Sequence, residues 1–214
     1  MKIFYAVLLL VYLLGLSWYG GSGDPVTNAE LESYIIAMTS KADARGKDTN
    51  KAVNYMRKLA DKDDGNEFIM VNLIRFRETS LYPKDSPWAG ETDPMLADAR
   101  YGDGIIPLLL KRGSLPIFAS SVSGAFINET IHGEWDVVAM VRYRSVRDML
   151  QMMVEMSSTD LADHKWAAIE QTHVFPVKPK ISLLSLRLII GIALLLFAVA
   201  VSYLVNFRNP KSKN

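Results

Sequence analysis

Two stretches decide the fold: residues 67–77, EFIMVNLIRFR, and residues 135–144, WDVVAMVRYR. Each is rich in branched and aromatic residues and apolar on both faces, as expected of a strand covered on both sides. They also align. Setting MVNLIRFRE (70–78) over VVAMVRYRS (137–145) matches Arg75 with Arg142, Phe76 with Tyr143 and Arg77 with Arg144 at a constant offset. The segments C-terminal to the two copies correspond as well. After the first come a helical stretch at 94–112, Gly113, and a strand at 115–127. After the second come a helix opened by Ser145-x-x-Asp148, a further helix at 159–171, and a strand at 172–177. Each half reads β-α-β. Together they predict an α+β domain in the ferredoxin-like βαββαβ order, with the two copies as parallel central neighbours and the helices on one face. The other sheet face then needs a cover that one chain does not supply. A partner sheet from a second copy would supply it, giving a homodimer with a barrel-like interior.

Working outward, Thr27-x-x-Glu30 is a capping box, and Leu31, Tyr34, Ile35 and Met38 recur at helical spacing. This predicts a helix over 28–44. The Arg45-Gly46-Lys47 break ends it, and a second helix is expected over 49–61. These two helices connect the fold to the segment before it and cover part of its surface.

Charge is segregated along the 214 residues. All 23 Asp and Glu lie between Asp24 and Glu170, whereas residues 3–23 and 188–207 carry none. Five of the 24 Lys and Arg (Lys2, Arg187, Arg208, Lys211, Lys213) lie outside 24–180, so the middle holds 19 basic against 23 acidic residues, a net charge of −4. A mildly acidic module without a basic stripe excludes nucleic acid as a partner. Aperiodic glycine, an apolar core and zero cysteine exclude collagen, extended disorder and a disulfide-stapled miniprotein.

The run LIIGIALLLFAVAVSYLVNF (188–207) is 20 residues long. At ~1.5 Å per residue it spans roughly 30 Å, the thickness of a bilayer's hydrocarbon core. The run IFYAVLLLVYLLGLSWYGGSG (3–23) is equally apolar. It reads either as an uncleaved anchor with Trp18 and Tyr19 at its outer end, or as a signal peptide cut near Gly20/Ser22 or Gly21/Gly23. The organisation expected is therefore a transmembrane anchor or signal peptide at 1–23, a helical extension at 24–66, a ferredoxin-like domain at 67–180, a transmembrane helix at 181–207 and a basic cytoplasmic tail at 208–214. Lys2 on one side and Arg208, Lys211 and Lys213 on the other put both tails in the cytoplasm of a plasma (inner) membrane. The central domain is then extracytoplasmic, periplasmic in a bacterium. Gly191, Ala198 and Ala200 offer small residues for helix contact.

The run FIMVNLIRFRE, then Tyr101-Gly102 leading through IIPLLLKRG, a strand ending near Gly124, WDVVAMVRYRSVRDMLQMM and ADHKWAAIEQTHVFPV resembles the domain-of-unknown-function 1330 family. The resemblance covers about residues 67–177. It implies the dimeric α/β-barrel superfamily fold and its dimer, and it places His164 best among the histidines. The sequence departs from the family pattern in its helical extension before Glu67, its long loop at 78–93, its two apolar ends, and Lys165 after His164 where arginine is usual.

His132, His164 and His173 show no His-x-x-x-His spacing, no cysteine and no adjacent carboxylate set, so no metal site is expected and no cofactor motif stands out, although a single histidine could still serve as an axial haem ligand or general base. Asn128-Glu129-Thr130 is a sequon that matters only in a eukaryotic secretory pathway. The pocket candidates are Asn72, Arg75, Arg142, Tyr143 and His164. Asn72 stands alone among apolar residues and needs a hydrogen-bond partner if buried. Arg75 and Arg142, as neighbours in a parallel pair, would clamp an anion bidentately or pair with nearby carboxylates. His164 would act as a general base or lie at a helix surface. Met140, Met149, Met152, Met153 and Met156 read as core packing or an adaptable pocket. The loop at 78–93 is a lid, a docking surface or a plain insertion. No Ser-His-Asp set, phosphate loop or carboxylate pair stands out. Two functions fit these residues: a membrane-anchored, non-enzymatic accessory or assembly subunit of a membrane complex, or a membrane-tethered small-molecule binder or oxygenase-like enzyme using the barrel cavity.

Overall fold

The structure is a computed structural model, describing residues 2–20, 23–127, 134–179 and 186–208. His132, the sequon at Asn128, and Lys211 and Lys213 lie outside the described residues. The chain divides into two units, Gly20–Pro179 and the pair formed by Met1–Tyr19 with Lys180–Asn214.

In the first unit, α2 (Asn28–Asp43), α3 (Asn50–Ala60), β1 (Phe68–Phe76), α4 (Pro94–Leu110), β2 (Leu115–Ser121), β3 (Val137–Tyr143), α5 (Val146–Met156), α6 (Leu161–Ala168) and β4 (Ile169–Val177) succeed one another. The βαββαβ order expected over 67–177 is thus present, with the second crossover split into two helices. The strands form one four-stranded sheet in the order β2-β3-β1-β4, antiparallel throughout. This corrects the parallel arrangement expected for the repeated strands. The β2–β3 hairpin returns β3 antiparallel into the gap that the β1–β2 crossover leaves open, so Phe68 faces Tyr143 and Ile74 faces Val137.

Local chemistry starts the helices as expected. Thr27 Oγ1 accepts from Glu30 N and Glu30 returns to Thr27 N, completing the capping box. Asp93 accepts from Met95 N ahead of Pro94, and Ser145 Oγ accepts from Asp148 N. Two boundaries moved under tertiary pairing. The last helix stops at Ala168 rather than 171, because Ile169 already pairs with Phe76 and the Ala168 carbonyl accepts from Arg77 N. The second strand ends at Ser121 rather than 127, where its partner Val137 begins. Pro116 and Pro176 sit in the two edge strands, where a missing N–H removes no ladder bond inside the sheet.

The helices of this unit cover one sheet face. Phe68, Met70 and Tyr143 pack with Leu31, Ile35, Met38, Met56, Ile105, Leu109, Leu150 and Met152. Ile74 and Phe76 pack with Ala97, Ala167 and Ala168 in a second cluster. The helical extension therefore belongs to the core. So do the methionines of α5, for Met152 is buried and Met149, Met153 and Met156 lie against it. Gly104 permits the α4–α6 contact, since a Cβ there would lie 2.2 Å from Leu161 Cδ2.

In the second unit, α1 (Lys2–Gly20) is long and apolar enough to cross a membrane by length and composition. The C-terminal helix α7 (Leu186–Arg208) also forms, and the apolar stretch of its described residues, Ile189–Val205, is shorter than α1.

This packing generates two expected outcomes. Leu150, with no exposed surface, belongs to the core cluster that joins α2 to the sheet, so Leu150→Ala is expected to lower stability by about 2–5 kcal/mol, read by urea denaturation in detergent. Arg147, with the Thr27 cap adding to it, holds the Glu30 carboxyl down at about 2, below its ordinary 4.5. Because folding lowers this value, the α2–α5 contact contributes fully above pH 4.5 and is lost as pH falls toward about 2. Amide exchange at the start of α2 should rise in that window and stay flat above it.

Candidate functional site

Residues 77–93 leave the end of β1 and return to α4 as a strapped loop. Arg77 N and Leu81 N donate to the carbonyls of Ala168 and Ala167 at 2.9 and 3.0 Å, and Ser80 N donates to Thr92 O at 3.0 Å, closing the neck. The loop sets Tyr82 and Trp88 onto α6. There His164 is buried, 4% exposed; its Nδ1 shares a 2.7 Å hydrogen bond with the Tyr82 hydroxyl, and its Nε2 stands 3.5 Å from Asp160 Oδ2. The Trp88 ring meets the imidazole edge-on at 5.4 Å. The Arg100 guanidinium lies 4.3 Å from the Trp88 ring, donates to Glu91 Oε2 at 3.0 Å, and is also held by the Tyr82 hydroxyl. Two residues before Arg100, burial pushes the Asp98 carboxyl up, with Lys165 opposing.

Asp160, His164 and Tyr82 thus form a line along which a proton could pass. Tyr82 is itself buried, however, so the line ends within packed side chains. As it stands, the cluster fastens the loop to α4 and α6.

The other predicted site residues do not converge on it. Asn72 satisfies its amide locally, Nδ2 donating to Met70 O at 3.1 Å and Ala139 O at 3.3 Å, on the helix side of the sheet between the two core clusters. Tyr143 stacks on Phe68 at 5.4 Å on that same side, and burial pushes its hydroxyl up. Arg75 and Arg142 are not neighbours, which corrects the anion clamp. In the antiparallel ladder Arg142 faces Ile69 and Arg75 faces Gln171, at opposite ends of β1. Arg142 is buried, donating to Glu67 Oε2 at 2.8 Å and to Gly113 O at 2.6 Å. Arg75 pairs with Glu170 at 3.0 Å in the open. A cleft of about 430 Å³ beside it is lined by Arg75, Arg77, Glu78, Asp136 and Glu170, whose mixed signs compensate one another.

The second feature is the sheet face turned away from the helices of this unit. Ile69, Val71, Leu73 and Arg75 alternate with the helix-side residues of β1, and the registers place Val138 and Met140, Phe118, and His173, Phe175 and Val177 beside them. Ile69 and Val71 are buried, as is Arg142 opposite Ile69, whereas Leu73, Val138 and Met140 are half-buried and Phe118 is 44% exposed. His173 packs on Phe175 at 5.1 Å and puts an imidazole on this face. The histidine that the resemblance favoured, His164, is on the other side. Strand alternation in residues 169–177 carried the signal for His173. Nothing in the sequence marked Tyr82, Trp88, Arg100 or Asp160 as companions of His164. Among the described residues no group of acidic, histidine or cysteine side chains forms a metal site.

No family model matches the chain and no curated protein matches it. Solved structures do match, among them two forms of one protein. The RPA0582 protein of unknown function from Rhodopseudomonas palustris is 24% identical, with a TM-score of 0.52 over 64% of this chain and 97% of its own. Its methylated form is 24% identical, with a TM-score of 0.53 over 63% of this chain and 94% of its own. The likeness is one of fold. This α+β fold accounts for nearly the whole of that protein and leaves about a third of the present chain without a counterpart.

Tyr82→Phe removes the hydroxyl and leaves His164 Nδ1 unpaired, a loss of about 1–2 kcal/mol. If the cluster fastens the loop, amide exchange at Ser80 and Leu81 should rise about tenfold while the β1 amides hold. Equal acceleration throughout would show a global effect instead.

Proposed function

We propose that this chain is a membrane-anchored, ferredoxin-like module of the dimeric α/β-barrel type, which pairs with a second copy through its open sheet face and serves as a non-enzymatic accessory or assembly subunit of a membrane complex. One observation carries the reading: β1 and β3 are apolar on the face away from the helices, and the Gly20–Pro179 unit has every one of its helices on the other side. A contiguous apolar surface of this kind is stabilised by a matching one, and a two-fold pair of identical sheets meets that need. The residues quoted for the domain-of-unknown-function 1330 resemblance lie in these strands and helices and support the same arrangement.

Anchoring rests on α1 and α7. Twenty uncharged residues at 188–207 reach about 30 Å as a helix, and Lys2, Arg208, Lys211 and Lys213 favour cytoplasmic tails with the module outside. The reading as a small-molecule binder or oxygenase-like enzyme has less support. Asn72, Tyr143 and His164 lie on the helix side, and on the open face Arg75 and Arg142 are already paired with Glu170 and Glu67, while His173 packs on Phe175.

Leu73→Asp places an unpaired charge in the centre of the proposed interface. It should weaken self-association at least about 100-fold, an effect of about 3 kcal/mol, and leave the circular dichroism spectrum unchanged. Native mass spectrometry of the detergent-purified full chain reads this directly. A monomeric wild-type chain, or a dimer indifferent to Leu73→Asp, would rule the sheet-to-sheet pairing out, and the same spectrum would reveal any co-purifying subunit or small molecule.

A further inference from the structure

We infer that α1 is retained as one half of an intramolecular helix pair with α7, so that it is a structural partner rather than a removable leader; this rests on the reading of both helices as bilayer-embedded. The contacts run in opposite order along the two helices. Phe4 meets Phe197 with ring centroids 5.9 Å apart, and the Tyr5 hydroxyl hydrogen-bonds Ser202 Oγ. Farther along α1, Tyr12 lies over Gly191, where an added Cβ would stand 3.2 Å from its hydroxyl oxygen. The pair is therefore antiparallel, with the Lys2 and Arg208 ends together.

The chemistry suits an apolar layer. Ser202 Oγ donates its proton to Ala198 O at 2.7 Å, which leaves its oxygen to accept from Tyr5. Without water, a hydroxyl in hydrocarbon is costly unless a partner is supplied, and small residues let helices approach closely. Removing α1 would strip Ser202 of its donor and uncover Gly191. The small-residue surface at Gly191 is thus taken within the chain, and another subunit's helix would have to compete for it.

The Gly20–Pro179 unit agrees independently. Residues near its two ends are tied to a single turn: Val26 N donates to Asp63 Oδ2 at 2.7 Å, and Lys178 Nζ meets Asp64 Oδ2 at 2.5 Å. Gly65 in that turn has φ 77° and must be glycine, since a Cβ would fall 2.3 Å from the Gly23 carbonyl oxygen. The chain therefore enters and leaves the domain at one place, as two segments joined to a helical hairpin require.

The chain has no cysteine, so engineered pairs report without background. In membranes of cells expressing the full chain, a short bis-maleimide should link Phe4→Cys with Phe197→Cys, and Tyr12→Cys with Gly191→Cys, within single chains that still contain residues 2–20. The mismatched pair Phe4→Cys with Gly191→Cys should link severalfold less, and Gly191→Leu should lower the Phe4/Phe197 yield severalfold. Chains beginning near residue 20, adducts found only between chains, or equal linking of the mismatched pair would overturn the inference. Alkaline carbonate treatment keeps the two premises apart. Single-chain adducts released into the soluble fraction would overturn the bilayer reading and not the pairing.

Discussion

A strand that is apolar on both faces can be covered by its own helices on only one of them, and β1 is such a strand. Phe68, Met70, Ile74 and Phe76 receive α2 to α6, while Ile69, Val71 and Leu73 look the other way. Everything distinctive about the domain answers this asymmetry. The helices crowd one side, including the two at its start, and the edge strands carry Pro116 and Pro176 where further strand addition is discouraged. The remaining apolar face sets the terms of any partnership.

Ion pairs in this fold hold ends together rather than form a binding site. Arg142 ties Glu67 to the Gly113 turn, Arg147 ties α5 to the Glu30 cap, Arg112 and Lys111 hold Glu155, and Lys178 closes on Asp64. Most are partly exposed, where such pairs contribute little individually. Their value lies in register. Arg142 is the exception, since its burial makes both of its acceptors necessary. That is why a pair of arginines aligned in sequence turned out to have unrelated tasks: one was drawn into the base of the sheet, the other left at its solvated end.

The histidine cluster shows how a long loop acquires a place. The thirteen residues from Ser80 through Thr92 have no regular structure of their own, yet the neck bonds and the two aromatic rings on His164 define their position. A loop fastened by so few groups can be released by altering one of them, whereas β1 cannot.

Taken alone, the sequence determined the features that depend on neighbours within a few residues. The Thr27 and Ser145 caps, the breaks at Gly46 and Gly113, the strand character of both repeated stretches and the apolar ends all arise from short-range pattern, and all are present. Tertiary structure decided the rest. Whether β1 and β3 run parallel depends on where the β2–β3 hairpin folds back, and the ends of α6 and β2 depend on which partner strand is already in place. Whether His164 sees a cavity or Tyr82 depends on a loop some eighty residues earlier in the chain. These are long-range choices made by backbone pairing and side-chain packing, and a local pattern holds no record of which distant surface will be there to meet it.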